Sequence, residues 1–137
     1  MPDMSNAGKE YFLALGEALS LDVKPDQDGN CLLAVGNQLP VIVRANGSAE
    51  RMELSASVAD ALPEGLAYSD MLDLLGIALG PLFNAPGIGR DPGSGAIVLY
   101  ATMPFATTSP ADFAEAVPAF IDLANSITSR LAAMPDA

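Results

Sequence analysis

Arg51-Met52-Glu53-Leu54-Ser55-Ala56-Ser57-Val58 alternates strictly between polar and apolar side chains. A β-strand points successive side chains to opposite faces, so a period of two puts Met52, Leu54, Ala56 and Val58 on a buried face. Arg51, Glu53, Ser55 and Ser57 then fall on a wet one. Just upstream, Val41-Ile42-Val43 is a β-branched run suited to a pleated surface, entered at Pro40, where a missing donor does least harm. Cys31 to Val35 reads as a further short strand, set off by Gly36-Asn37. Both residues of Asn46-Gly47 tolerate positive φ, which predicts a tight hairpin turn between the second and third strands. Residues 31–58 therefore read as a three-stranded antiparallel meander, closed by Leu62-Pro63-Glu64-Gly65.

Helical patterns flank the meander. From Ser5 to Leu19, Phe12, Leu15 and Leu19 recur at helical intervals, with Gly8 and Gly16 on the same face. Pro25 and the turn-forming Asp26-Gln27-Asp28-Gly29-Asn30 end this helix near Leu21. After the meander, Ser69 is the expected N-cap of a second helix, with Asp70 and Asp73 near its positive end. Met71, Leu74, Leu75, Ala78 and Leu82 make one apolar stripe, and Leu72, Leu79 and Phe83 lie beside it. Apolar surface thus wraps much of the helix, so one side is expected on the domain's own sheet and another on something else. Gly80-Pro81 should kink or end it, because proline lacks a donor and crowds the carbonyl four residues back.

The Gly-rich residues 86–95 lead into Ala96-Ile97-Val98-Leu99-Tyr100-Ala101-Thr102, which predicts two strands around a Pro-Gly turn. Ser109-Pro110-Ala111-Asp112 opens a last helix, with Ser109 as N-cap and Pro110 at the first helical position. Its buried stripe is Phe113, Val117, Phe120, Ile121, Ala124, Ile127 and Leu131. The stripe keeps its phase across Pro118, so a single kinked helix is expected. The order is α-β-β-β-α-β-β-α, an α+β chain with an antiparallel sheet and one compact domain over 1–137; residues 1–4 and 134–137 are expected to be frayed.

At 137 residues the chain suits one core, and 17 acidic against 6 basic side chains give a formal charge of −11. Half the residues are hydrophobic, so an apolar interior must be held in solution by an acidic exterior. Lys9, Lys24, Arg44, Arg51, Arg90 and Arg130 are scattered singly among carboxylates, which excludes the clustered cations of a nucleic-acid surface and disfavours anionic membrane. No apolar run reaches the roughly 18–20 residues that span a bilayer, and the first ten residues carry no secretion signal, so no membrane insertion is expected and the protein should stay where it is made. Cys31 is the sole cysteine, which rules out an intrachain disulfide.

Histidine is absent, which removes the commonest general base and metal ligand; no catalytic residue, metal site or cofactor is expected. Asp26, Asp28 and Gly29 superficially suggest a calcium loop, but the glycine falls at the fourth position instead of the sixth, and Asn37 stands where a glutamate is needed. Gly87-Ile88-Gly89 enters a strand and is followed by no Gly-Lys-Ser/Thr, so it is a loop and not a phosphate cradle. The pairs Asp70 with Asp73 and Asp112 with Glu115 sit in first helical turns, where solvated carboxylates favour the helix dipole.

With this order assembled, the chain resembles the class I type III secretion chaperones of the CesT/Tir-chaperone family over nearly its whole length. The resemblance rests on the N-terminal helix ending in Leu19-Ser20-Leu21, on Asp28-Gly29-Asn30-Cys31-Leu32-Leu33, on Leu74-Leu75 through Leu82-Phe83-Asn84, and on Gly95-Ala96-Ile97-Val98-Leu99 running to Met103-Pro104 and the helix with Phe113 and Phe120. These are loose hydrophobic patterns, and Gly80-Pro81 and Pro118 depart from them. The resemblance implies a homodimeric, cytoplasmic bacterial protein that binds the extended N-terminal segment of a secreted effector and keeps it secretion-competent. Candidate effector anchors on the first helix and the strands are Phe12, Leu15, Leu32, Val41, Val43, Met52 and Leu54, each of which could equally be core. Candidate dimer-interface residues are Met71, Leu74, Leu75, Ala78, Leu79 and Leu82, whose apolar surface exceeds what one sheet covers. Two alternatives stay open: a different α+β dimeric adaptor or regulator that holds another protein, which gene context would separate from a chaperone, and a small-ligand binder or enzyme, which ligand-dependent stabilisation would reveal.

Overall fold

A computed structural model of the chain describes residues 8–34, 39–83 and 85–132. Its elements are α1 (Lys9–Leu19), β1 (Asn30–Leu33), β2 (Val41–Asn46), β3 (Arg51–Ala59), α2 (Tyr68–Ala78), β4 (Gly87–Arg90), β5 (Ile97–Pro104) and α3 (Pro110–Ala132). A 3-10 turn over Gly80–Phe83 follows α2. The strands form one antiparallel sheet in the order β1-β2-β3-β5-β4. The α+β class and the α-β-β-β-α-β-β-α order expected from the sequence are therefore those observed.

The alternation over Arg51–Val58 does what its period dictates. Met52, Leu54, Ala56 and Val58 are buried, while Arg51, Glu53 and Ser55 are half-buried and Ser57 is exposed on the opposite face. β3 sits at the centre of the sheet, and its register aligns Val43, Leu54 and Ala101 across three strands as one inward row. Over this face lies α3, with Phe113, Val117, Phe120, Ile121, Ala124, Ile127 and Leu131 buried as the stripe predicted. α1 packs alongside α3 and inserts Phe12 and Leu15 into the same core. The two helices are tied at one end by Tyr11, which stacks on Phe105, meets Phe113 edge-on and donates its hydroxyl to the Thr108 carbonyl at 2.6 Å.

α3 begins as its sequence asks. Ser109 Oγ accepts the Asp112 N–H at 3.1 Å and Pro110 is the first helical residue. One helix runs through Pro118, whose ring is exposed, so the missing donor falls on the solvent side. The Asp26 turn is closed by its own side chain, which accepts the Asp28 and Asn30 N–H groups at 2.9 and 3.0 Å. Gly29 is needed there: its φ is +82°, and a Cβ would lie 2.8 Å from the Ala45 carbonyl oxygen.

Three expectations are corrected. Asn46-Gly47 is not a tight two-residue turn; residues 47–50 form a longer loop in which Asn46 Oδ1 accepts the Ala49 N–H, and the left-handed φ of 54° falls on Glu50. The side chain of Asn46 thus caps the loop instead of its backbone making the turn. Ser69 does not cap α2: the N-cap is Ala67, with no side-chain hydrogen bond, and Ser69 lies in the first turn. Gly87-Ile88-Gly89 is not a loop but the start of β4, paired with Tyr100, Leu99 and Val98 of β5. Gly80-Pro81 ends α2 at Ala78, one of the two outcomes expected of it, and the chain tightens into the 3-10 turn. The expected helix start at Ser5, the strand end at Val35, Gly36-Asn37, and the fraying at 1–4 and 134–137 lie outside the described residues.

Phe113 of α3 has no exposed surface, meets Tyr11 of α1 edge-on and belongs to the same core cluster as the inward strand residues. Phe113→Ala should therefore lower the free energy of unfolding by about 3–5 kcal/mol. Urea denaturation checks this, and a loss under about 1 kcal/mol would mean that the core is not built around this residue.

Candidate partner-binding surfaces

α1 and α3 both occupy the inner face of the sheet, which leaves α2 without a core position. None of its residues is buried. Leu74 and Ile77 are half-buried where the helix leans on β4, while Leu72, Leu75 and Leu79 are exposed and Leu82 on the following turn is 76% exposed. Of the candidate dimer residues, then, Met71, Leu75, Ala78, Leu79 and Leu82 are exposed, and Leu74 is half-buried against the core. Fully burying large apolar side chains of this kind stabilises by about 1.5–3 kcal/mol each.

The outer face of the sheet is the second surface. Register places Leu32, Ile42, Ser55 and Tyr100 in a single row across β1, β2, β3 and β5. Leu32 is 70% exposed, and Ile42 and Tyr100 are exposed as well. The adjacent row is Asn30, Arg44, Glu53 and Thr102, in which Glu53 accepts from Arg51 Nε at 2.7 Å and pairs with Arg44 at 3.7 Å. A shallow groove runs between the two rows. β1 pairs with β2 on one side and, among the described residues, has no strand on the other, so it is an open edge.

The candidate anchors divide sharply. Phe12, Leu15, Val41, Val43, Met52 and Leu54 are core residues, 3% exposed or less, and offer no surface to a partner. Leu32 alone lies in the open. The sequence could separate the two sets only where alternation was readable. Ile42 and Tyr100 lie between inward neighbours, Val41 and Val43 in one case and Leu99 and Ala101 in the other, so their outward direction was implicit; Cys31-Leu32-Leu33 is apolar throughout and does not disclose which member points in. A further concavity, between α3 and β5, is lined by Met103, Pro104, Ala119, Phe120 and Leu123 and bounded by Pro81.

Chemistry at these surfaces is sparse. Burial pushes the Cys31 thiol above its ordinary range, with the Asp26 carboxylate adding to the shift and the Lys24 backbone opposing it, so thiolate is disfavoured. Among the described residues no group of three His, Cys, Asp or Glu side chains is placed to hold a metal, and no helix is long and apolar enough to cross a membrane.

This architecture, with two helices on one face of a five-stranded sheet and a third left aside, can be compared with known proteins. The sequence profile of the Tir chaperone protein (CesT) family matches residues 13–128. The chain belongs to that family. No curated protein matches the sequence at a significant level. Solved structures share the fold at low identity. A chain of the HopA1-SchA chaperone-effector complex superposes with a TM-score of 0.73 at 23% identity, over 94% of this chain and 99% of that one. One from the ExsC-ExsE complex gives 0.69 at 20%, over 95% and 97%. One from the Yersinia pestis type III secretion chaperone SycH, in complex with a fragment of YscM2, gives 0.63 at 17%, over 85% and 98%.

The division between outward and inward residues has a direct consequence. Leu32→Ser and Ile42→Ser should each change unfolding free energy by no more than about 0.5 kcal/mol, whereas Leu54→Ala should cost about 2–5 kcal/mol. Comparable losses for all three in urea denaturation would contradict the assignment of Leu32 and Ile42 to the outer face.

Proposed function

We propose that this chain is a non-enzymatic chaperone that works as a homodimer in the bacterial cytoplasm, binding the extended N-terminal segment of a type III secreted effector and keeping it competent for secretion. The observation that carries the reading is membership of the Tir chaperone family across residues 13–128. The solved relatives support it, since one is described as a chaperone-effector complex and another as a type III secretion chaperone bound to a fragment of a second protein.

The physical features fit work done by surface. Two copies that bring their α2 helices together would cover Met71, Leu75, Ala78, Leu79 and Leu82, which the described residues of a single chain leave exposed. An extended effector segment adding to the β1 edge would meet backbone donors and acceptors there, and Leu32 and Ile42 would receive its apolar side chains. Each backbone hydrogen bond contributes only about 0.5–1.5 kcal/mol net, so the apolar contacts must carry much of the affinity. Phe12, Leu15, Val41, Val43, Met52 and Leu54 serve this surface from below, by keeping the sheet and α1 rigid. A protein without histidine that offers apolar surface and an open strand edge is suited to holding a chain, not to transforming it.

Light scattering at micromolar concentration should give twice the mass of one chain, and Leu75→Asp should give monomer or aggregate because two copies would bury the new carboxylates against each other. A monomer from the unmodified protein would contradict the homodimer. Co-purification from the native host should identify a secreted protein as partner, and co-expression with that protein should yield a complex that is lost when its N-terminal region is deleted; a complex that survives the deletion would contradict N-terminal recognition.

A further inference from the structure

α2 is fixed to the rest of the molecule in an unusual way. Its N-terminus lacks a side-chain cap, and no side chain of the helix is buried. At its C-terminal half Leu74 and Ile77 rest on β4 and the core. At its N-terminal half the polar attachment among the described residues is a single side chain from the last turn of α3, 60 residues away. Arg130 donates from Nε to Asp70 Oδ1 at 3.0 Å, from Nη2 to the same carboxylate, and from Nη2 to Asp73 Oδ2 at 2.7 Å.

The pairing suits both helices. Arg130 sits at the carbonyl end of α3 and Asp70 in the first turn of α2, so each charge complements its own helix dipole as well as its partner. The guanidinium fork spans two carboxylates one turn apart, which resists rotation of α2 in a way a single contact could not. Surface ion pairs add little to global stability, but here the competing forces on α2 are also small.

We propose that Arg130 is a positioning residue, a latch that fixes the direction in which α2 presents Met71, Leu75 and Leu79 to a second copy of this chain. A helix already held in its docking orientation loses less freedom on association, so the latch strengthens the dimer without touching its partner. The part that concerns the dimer rests on the homodimer reading; the tether itself does not. The latch lies at the surface, so added salt weakens it.

The test uses the full chain, with Arg130→Gln, Arg130→Lys and the unmodified protein compared at low and high salt. Hydrogen exchange of α2 amides should quicken by about two- to fivefold in Arg130→Gln at low salt, while exchange in the sheet and α3 stays unchanged. The dimer dissociation constant should rise by a similar factor, and Arg130→Lys should recover part of both effects, since an ammonium reaches one carboxylate but not two. At about 1 M salt the unmodified protein should behave as Arg130→Gln does. Equal α2 exchange in the two at low salt would overturn the latch, and faster exchange with an unchanged dissociation constant would overturn its role in the dimer. Should the unmodified protein prove monomeric, the homodimer reading falls and the exchange comparison alone decides the tether.

Discussion

A sheet has two faces, and in this chain α1 and α3 both go to the same one. α1 and α3 converge over Val43, Leu54 and Leu99, and the aromatic contacts of Tyr11 with Phe105 and Phe113 lock them together. Once that face is taken, the described residues leave Leu72, Leu75 and Leu79 exposed, and the opposite face leaves Leu32, Ile42 and Tyr100 exposed as well. The features that make the protein a binder follow from this unequal covering, because apolar surface left without an internal partner is what a second chain can use.

The covered face was open to reading because it obeys simple periods. The alternation through Met52, Leu54, Ala56 and Val58, and the helical stripe from Phe113 to Leu131, each state their own buried side. Element order and class followed, and the loose resemblance carried by those same hydrophobic positions was to the family whose profile matches residues 13–128.

What the sequence concealed was which apolar residues remain outside. Phe12, Leu15, Val41, Val43, Met52 and Leu54 are as apolar as Leu32, and composition cannot say which of them the core will consume; that depends on how α1 and α3 are placed, a tertiary fact. Turn and cap details failed for a related reason. Asn46 uses its side chain where backbone was expected, and α2 takes Ala67 as its N-cap, leaving Ser69 in the first turn beside Asp70, which Arg130 holds from elsewhere. A tie between residues 60 positions apart leaves no local trace in sequence.

The central claim is that the exposed sheet face and its β1 edge hold an extended partner segment. Hydrogen exchange of the chaperone, measured alone and in complex with the N-terminal segment of its co-expressed secreted partner, tests this most directly. The account predicts new protection at Asn30–Leu33 and on the neighbouring outward positions of β2. Protection confined to the acidic loops around Asp26 and Asp91, with β1 exchanging as fast as in the free protein, would contradict it.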